Sequence, residues 1–212
     1  MKTDDLISML AQDAAPQPAA PVAQRAALGI VAGLVVAVLG YWLVLGPRAG
    51  LEAAMMQPVI LAKTLLPLAL FALALMLGLR ASRPAAAPGT PKRLIWVVPV
   101  IGAALVVWAF VTTPASQRVT DWLGHSIPVC LPAITLLSMP ILTGLIAALR
   151  RGAPLRPHLA GALAGLAAGG LGAALYSTFC TEDSPLFYGT WYTLGILAST
   201  GIGAIAGRWL RW

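Results

Sequence analysis

Residues 26–46 read AALGIVAGLVVAVLGYWLVLG, an unbroken apolar run without one charged side chain. A helix needs roughly 20 such residues to cross a hydrocarbon core of about 30 Å. In lipid the backbone must satisfy its own hydrogen bonds, so a run of this kind is read as a helix. Five further runs follow, at 57–79, 94–112, 127–149, 157–178 and 187–207. Only the second carries a charge, Lys63. The pattern predicts an all-α integral membrane bundle of six transmembrane helices.

Composition agrees. Of 212 residues, 59% are hydrophobic and 10% charged, where a soluble domain carries about a quarter charged. The net charge of +7 raises nucleic acid as a partner. That reading is set aside, because the basic residues fall in short loops between apolar runs and no nucleic-acid motif accompanies them. Nor do the first residues read as a cleaved signal peptide: the first apolar run starts near Ala26, is of membrane length and follows a Pro-rich stretch.

The Lys and Arg residues set the topology. Lys2, Arg25, Arg80, Arg83, Lys92, Arg93, Arg150, Arg151, Arg156, Arg208 and Arg211 fall on one side, and only Arg48 and Arg118 on the other. Positive charge marks the cytoplasmic side, so both ends are expected there, N-in and C-in. The aromatics fit this frame. Trp42, Trp108, Trp122 and Trp191 fall at outer span ends, and Trp96, Trp209 and Trp212 at inner ones. Tyr41, Tyr176, Tyr188 and Tyr192 are expected at the outer interface, where amphipathic rings collect.

Small residues repeat every four positions in the last two spans, at Gly161, Gly165 and Gly169, and at Gly195, Ser199, Gly203 and Gly207. That spacing gives one face of close backbone approach, either within the chain or as a dimer seam. Pro128, Pro132 and Pro140 are expected to bend the fourth span or make its start irregular. Two domains result: residues 1–25, a short segment with a Pro-rich linker at 14–22, and residues 26–212, the membrane bundle.

The first thirteen residues stand apart. Thr3 suits an N-cap, and Asp4 and Asp5 suit the first turn of a helix. Leu6, Ile7 and Leu10 follow as an apolar stripe. A helix this short is marginal alone. It is expected either to rest on lipid or to dock on a cytoplasmic partner, and its two acids tilt against a negatively charged leaflet.

Cys130 and Cys180 are the only cysteines. At about 1.5 Å per helical residue, they rise roughly 35 and 40 Å from Ala153, on the outer side. Three readings stand: two buried small hydrophobes, a disulfide, or a reactive or metal-binding pair that His125, Glu182 and Asp183 could complete. Lys63 either snorkels to the interface or pairs with an acid such as Asp183. No acid lies inside a span, and no CxxC, Gly-rich phosphate loop or HExxH is present, so no catalytic constellation and no cofactor is expected.

Four segments carry a resemblance: the opening MKTDDLISML, RRGAPLRPHLAGALAGL at 150–166, LYSTFCTEDSPLFYGTWYTLGI at 175–196 and the closing GRWLRW. Together they resemble the NrsF family, bacterial membrane anti-sigma factors described as negative regulators of sigma F. The resemblance implies a multi-pass protein of the bacterial inner membrane, with an extracytoplasmic-function sigma factor as partner. It implies release of that factor on periplasmic oxidant or heavy-metal stress. The family's N-terminal motif matches Lys2, Thr3, Asp4, Asp5 and Leu6, and its two outer-face cysteines match Cys130 and Cys180. Many other anti-sigma factors carry a larger cytoplasmic domain with a His/Cys zinc motif; here about 25 residues precede the first span, so binding would use this segment. Two other classes compete. A small transporter or channel needs polar groups at mid-membrane, and only Lys63 qualifies. A membrane thiol oxidoreductase needs a CxxC and an electron acceptor site, and neither is visible.

Overall fold

A computed structural model describes residues 3–13, 21–83 and 89–210, with backbone alone at residues 10–13. Lys2, the Leu10 side chain, the core of the Pro-rich linker, positions 84–88 and Trp212 lie outside the described residues. Among those described there is no strand. The helices are α1 (Thr3–Asp13), α2 (Val22–Val44), α3 (Leu51–Met55), α4 (Pro58–Ala81), α5 (Pro91–Leu94), α6 (Val97–Thr112), α7 (Ala115–Leu123), α8 (Ile127–Leu149), α9 (Pro157–Ser177) and α10 (Pro185–Ala206), closed by a 3-10 turn at Gly207–Leu210.

Local chemistry explains the helix starts. Proline occupies the first turn of α4, α5, α8, α9 and α10, where its missing N–H costs nothing. Pro128 is one of these, while Pro132 and Pro140 sit inside a continuous α8. Gly46, with φ of 73°, follows the end of α2 and donates to the Tyr41 carbonyl at 2.9 Å, as a left-handed C-terminal residue does. The helix carrying the apolar run expected from residue 26 begins at Val22, after Pro21 in an extended conformation.

Five segments are long and apolar enough to cross a membrane: α2, α4, the stretch Pro91–Thr112, α8 and α9. α10 matches them in length at 22 residues but is diluted by Thr, Tyr and Gly. The exterior of the bundle is apolar as well; Leu28, Val31, Val35, Val100 and Val111 are all exposed. Such a surface fits a hydrocarbon solvent.

α9 is the centre. Of its most apolar window 67% is buried, against 6% for the Pro91–Thr112 stretch at the periphery. It packs against α10, α4 and α8, while α2 covers α8 from outside and α6 leans on α10. Glycine makes this possible. A Cβ on Gly161 would meet the backbone of Gly203 and Gly207, and one on Gly165 that of Ser199 and Thr200. The four-residue repeats therefore meet each other inside one chain. A second seam was not anticipated: Gly29 abuts Gly144, and Gly33 abuts Pro140 and Ile141, joining α2 to α8.

Two short helices, α3 and α7, occupy the connections between the long ones. α7 keeps Val119, Trp122 and Leu123 exposed, and Trp191 Nε1 donates to the Trp122 carbonyl at 2.7 Å, tying α7 to α10. An apolar cleft of about 720 Å³ opens between α4, α6 and α10, with Lys63 the one charged residue on its wall.

Candidate functional site

The segment 178–184, TFCTEDS, turns the chain from α9 into α10. Its entry is fixed by the frayed end of α9, where the Cys180 N–H donates to the Tyr176 carbonyl at 3.1 Å. Its exit is fixed by Ser184, whose Oγ accepts from the Leu186 N–H at 3.3 Å as the N-cap of α10.

Three elements hold this loop down. From the α2–α3 connection, Arg48 donates to both Asp183 oxygens at 2.8 Å and to the Cys180 carbonyl at 3.3 Å. From α4, the Lys63 ammonium donates to the Cys180 carbonyl at 2.7 Å, the Glu182 carbonyl at 2.9 Å and Asp183 at 3.2 Å. From the start of α8, the His125 N–H donates to Glu182 at 2.8 Å and Ser126 Oγ to the same oxygen at 3.3 Å. That places an acid before the N-terminus of α8, where the helix dipole favours it. Tyr41 adds a hydrogen bond to Thr178 at 2.7 Å.

Lys63 thus does not snorkel. It is 1% exposed, and a buried ammonium needs several acceptors and a countercharge; the loop supplies two carbonyls and Asp183. The four tyrosines are likewise not an interfacial belt. Tyr41, Tyr176, Tyr188 and Tyr192 are all buried. They turn inward to fill the space beneath the loop, with Tyr176 and Tyr192 centroids 5.7 Å apart.

Both cysteines are free and buried, Cys130 at 0% exposure and Cys180, in the loop itself, at 2%. Cys130 sits in the first turn of α8, its N–H donating to the Ser126 carbonyl at 2.7 Å. The buried Tyr176 and Tyr192 hydroxyls have no hydrogen-bond partner among the described residues. The acids do not join the thiols: Glu182 turns to His125 and Ser126, Asp183 to Arg48 and Lys63. Among the described residues no three of His, Cys, Asp or Glu gather as a metal site would require.

The N-terminal candidates are a separate feature. α1 carries Asp4 and Asp5 in its first turn, and Thr3, Leu6, Ile7 and Met9 are exposed. Arg48 and the tyrosines were not singled out as site residues. Tyr176 stands four positions before Cys180, and Tyr188 and Tyr192 are four apart on one face of α10; that spacing was the available signal.

The sequence matches the family described as Negative regulator of sigma F, NrsF, over residues 10–212. It is 40% identical to the Anti-sigma-F factor NrsF of Caulobacter vibrioides, with all of both chains covered. It is 35% identical to the Probable anti-sigma-F factor NrsF of Azospira oryzae, again over the whole of both. No solved structure matches the chain.

Proposed function

The chain belongs to the NrsF family of negative regulators of sigma F, and from that membership we propose that it is a membrane anti-sigma factor rather than an enzyme. It crosses the bacterial inner membrane six times, with α10 as the sixth span and both ends in the cytoplasm. Residues 1–25 hold a sigma factor of the extracytoplasmic-function class at the membrane, away from RNA polymerase. Residues 26–212 form the sensor. Oxidant or heavy metal in the periplasm reaches Cys130 and Cys180, and the sigma factor is released.

The observation behind this reading is a pair of free, buried thiols, one of them in a loop that three other elements pin in place. Cys130 heads α8 and Cys180 follows α9, and the far ends of these helices meet at the basic connection 150–156. That connection is itself bonded to the end of α4, the Ala153 N–H donating to the Ser82 carbonyl at 3.0 Å. A change at the thiols therefore has two packed helices along which to act. A hundredfold change in sigma occupancy needs states differing by about 2.7 kcal/mol in affinity, within the range of one covalent link.

The test is Cys130→Ser and Cys180→Ser, singly and together, with output from the sigma-dependent promoters measured before and after oxidant or cadmium. Loss of induction in any of the three supports the thiol sensor. A wild-type response in all three makes the cysteines simple packing.

A further inference from the structure

We infer that the cleft between α4, α6 and α10 seats one acyl chain of a bilayer phospholipid whose anionic headgroup rests on Lys92 and Arg93. The inference uses the membrane reading of the helices and nothing of the sigma factor or the thiols.

The three helices face one another across the cleft with a helical repeat. Leu66 and Leu70 of α4, Gly102 and Val106 of α6, and Thr193 and Leu197 of α10 line it in pairs four residues apart, the spacing of one helix face. The cleft is held open from both ends. At one, Val106 packs where a Cβ on Gly189 would go, which fixes α6 to α10. At the other, α5 leads into α6 and packs against α4, with Pro91 buried. Between these two points a space of about 720 Å³ separates the helices. Protein interiors leave few gaps larger than a water molecule, so a space of this size among spans is a seat for something.

Its walls choose the occupant. The polar side chains on them are already engaged: Thr193 donates to the Gly189 carbonyl at 2.7 Å, Thr190 to that of Leu186 at 3.1 Å, Tyr188 to that of Val59 at 3.2 Å, and Lys63 to the 178–184 loop. The rest of the wall is apolar. Val107 and Leu197 line it and are 62% and 54% exposed, so the cleft opens sideways, onto the lipid around the spans. From Trp96 to Val106, both on the wall, the helical rise is roughly 15 Å. That is one leaflet of a hydrocarbon core of about 30 Å, the depth of a single acyl chain.

Charge sets the headgroup. The Trp96 end of the cleft is the α5 end, where Lys92 and Arg93 are exposed one turn before Ile95 and Trp96. Arg80 reaches the same end, its guanidinium against Gly89. No Asp or Glu occurs between Glu52 and Asp121, so no carboxylate of α4, α5 or α6 competes for these cations. Trp96, 69% exposed, is the kind of aromatic that sits at headgroup level. Basic residues at the edge of a pocket between spans hold anionic headgroups.

The test is native mass spectrometry of the full-length chain released from detergent, after delipidation and re-addition of phosphatidylglycerol or phosphatidylcholine with the same acyl chains. Wild type should fly as a monomer carrying one phosphatidylglycerol, held about tenfold more tightly than phosphatidylcholine. Lys92→Gln with Arg93→Gln should bring the two lipids level. Gly102→Phe should release both, since a Cβ at Gly102 meets open space and the ring then fills the cleft. Ala103→Phe, on the same wall, repeats that arm if the first variant does not fold. No bound lipid on wild type, equal binding of the two lipids to it, an undiminished preference in the glutamine variant, phosphatidylglycerol retained in full by the phenylalanine variants, or a dimer that excludes lipid would each overturn the proposal.

Discussion

Lys63 and Asp183 meet at 3.2 Å across 120 residues of sequence, with the lysine side chain fully shielded from solvent. The contact joins α4 to the loop between α9 and α10. It is one of several: the same ammonium also takes two loop carbonyls, and the same carboxylate also takes Arg48.

Removing the acid alone is the damaging change. Asp183→Asn leaves an ammonium in the interior without its countercharge, and breaking a buried pair this way costs about 3–5 kcal/mol. The lower end applies, because the Asp183 side chain is 27% exposed and solvent screens part of the loss. Adding Lys63→Met to Asp183→Asn should recover part of the stability by removing the stranded charge. Thermal unfolding of the three variants in one detergent checks this; a wild-type Tm for Asp183→Asn would mean the pair contributes nothing.

The α9–α10 seam gives a sharper contrast. Gly165→Leu forces a side chain into the backbone of Ser199 and Thr200. Overpacking of this kind costs about 1–3 kcal/mol, more where backbone must move, and should appear as low yield of folded protein in the membrane. Gly201 lies on the same helix as the seam but has open space where a Cβ would go. Gly201→Ala should be neutral or stabilise by up to about 1 kcal/mol. Equal losses from both substitutions would count against the seam.

The helical bundle was legible in the sequence because lipid imposes a simple code: long apolar runs with Lys and Arg between them. Residues 127–149 coincide with α8. The Gly161 and Gly203 repeats announced their seam because spacing of four survives in one dimension. The α2–α8 seam did not, since Gly29 and Gly144 are far apart in sequence and neither belongs to a long repeat. The loop clasp was half visible: a charge inside a span invites a partner, but choosing between solvent and Asp183 for Lys63 requires knowing that the first turns of α4 pack against residues 180–183. The tyrosines were misplaced for a related reason. A ring near a span end satisfies the interfacial pattern equally well whether it faces lipid or turns inward, and only packing decides.

Topology is open to direct measurement. Reporter fusions at Gly89 and after Trp212 should register cytoplasm, and one at Ser184 the periplasm. This is the orientation proposed from the distribution of Lys and Arg, eleven on the side expected to be cytoplasmic and two on the other. A periplasmic reporter after Trp212 would remove one crossing, and α10, the least apolar of the long helices, would be the first to lose its place as a span.

The proposed docking segment makes the remaining prediction. Leu6 and Ile7 are 43% and 59% exposed on α1, so their apolar surface is available for a partner to cover. Asp4 and Asp5 precede them in the first turn, where they favour the helix and present negative charge to a basic groove. Leu6→Ala and Ile7→Ala each remove an anchor of about 1–2 kcal/mol. Together they should weaken capture of the sigma factor tenfold or more and raise uninduced promoter output. Asp4→Lys with Asp5→Lys should act in the same direction and flatten the salt dependence of binding, because the steering charge is reversed. The membrane bundle itself should be untouched, with Tm unchanged and the cysteines as protected as in wild type. Pull-down of the sigma factor from membranes carrying each variant separates the cases. If deletion of residues 2–13 leaves capture intact, the basic connections at 80–93 and 150–156 become the binding surface and α1 loses its assigned role.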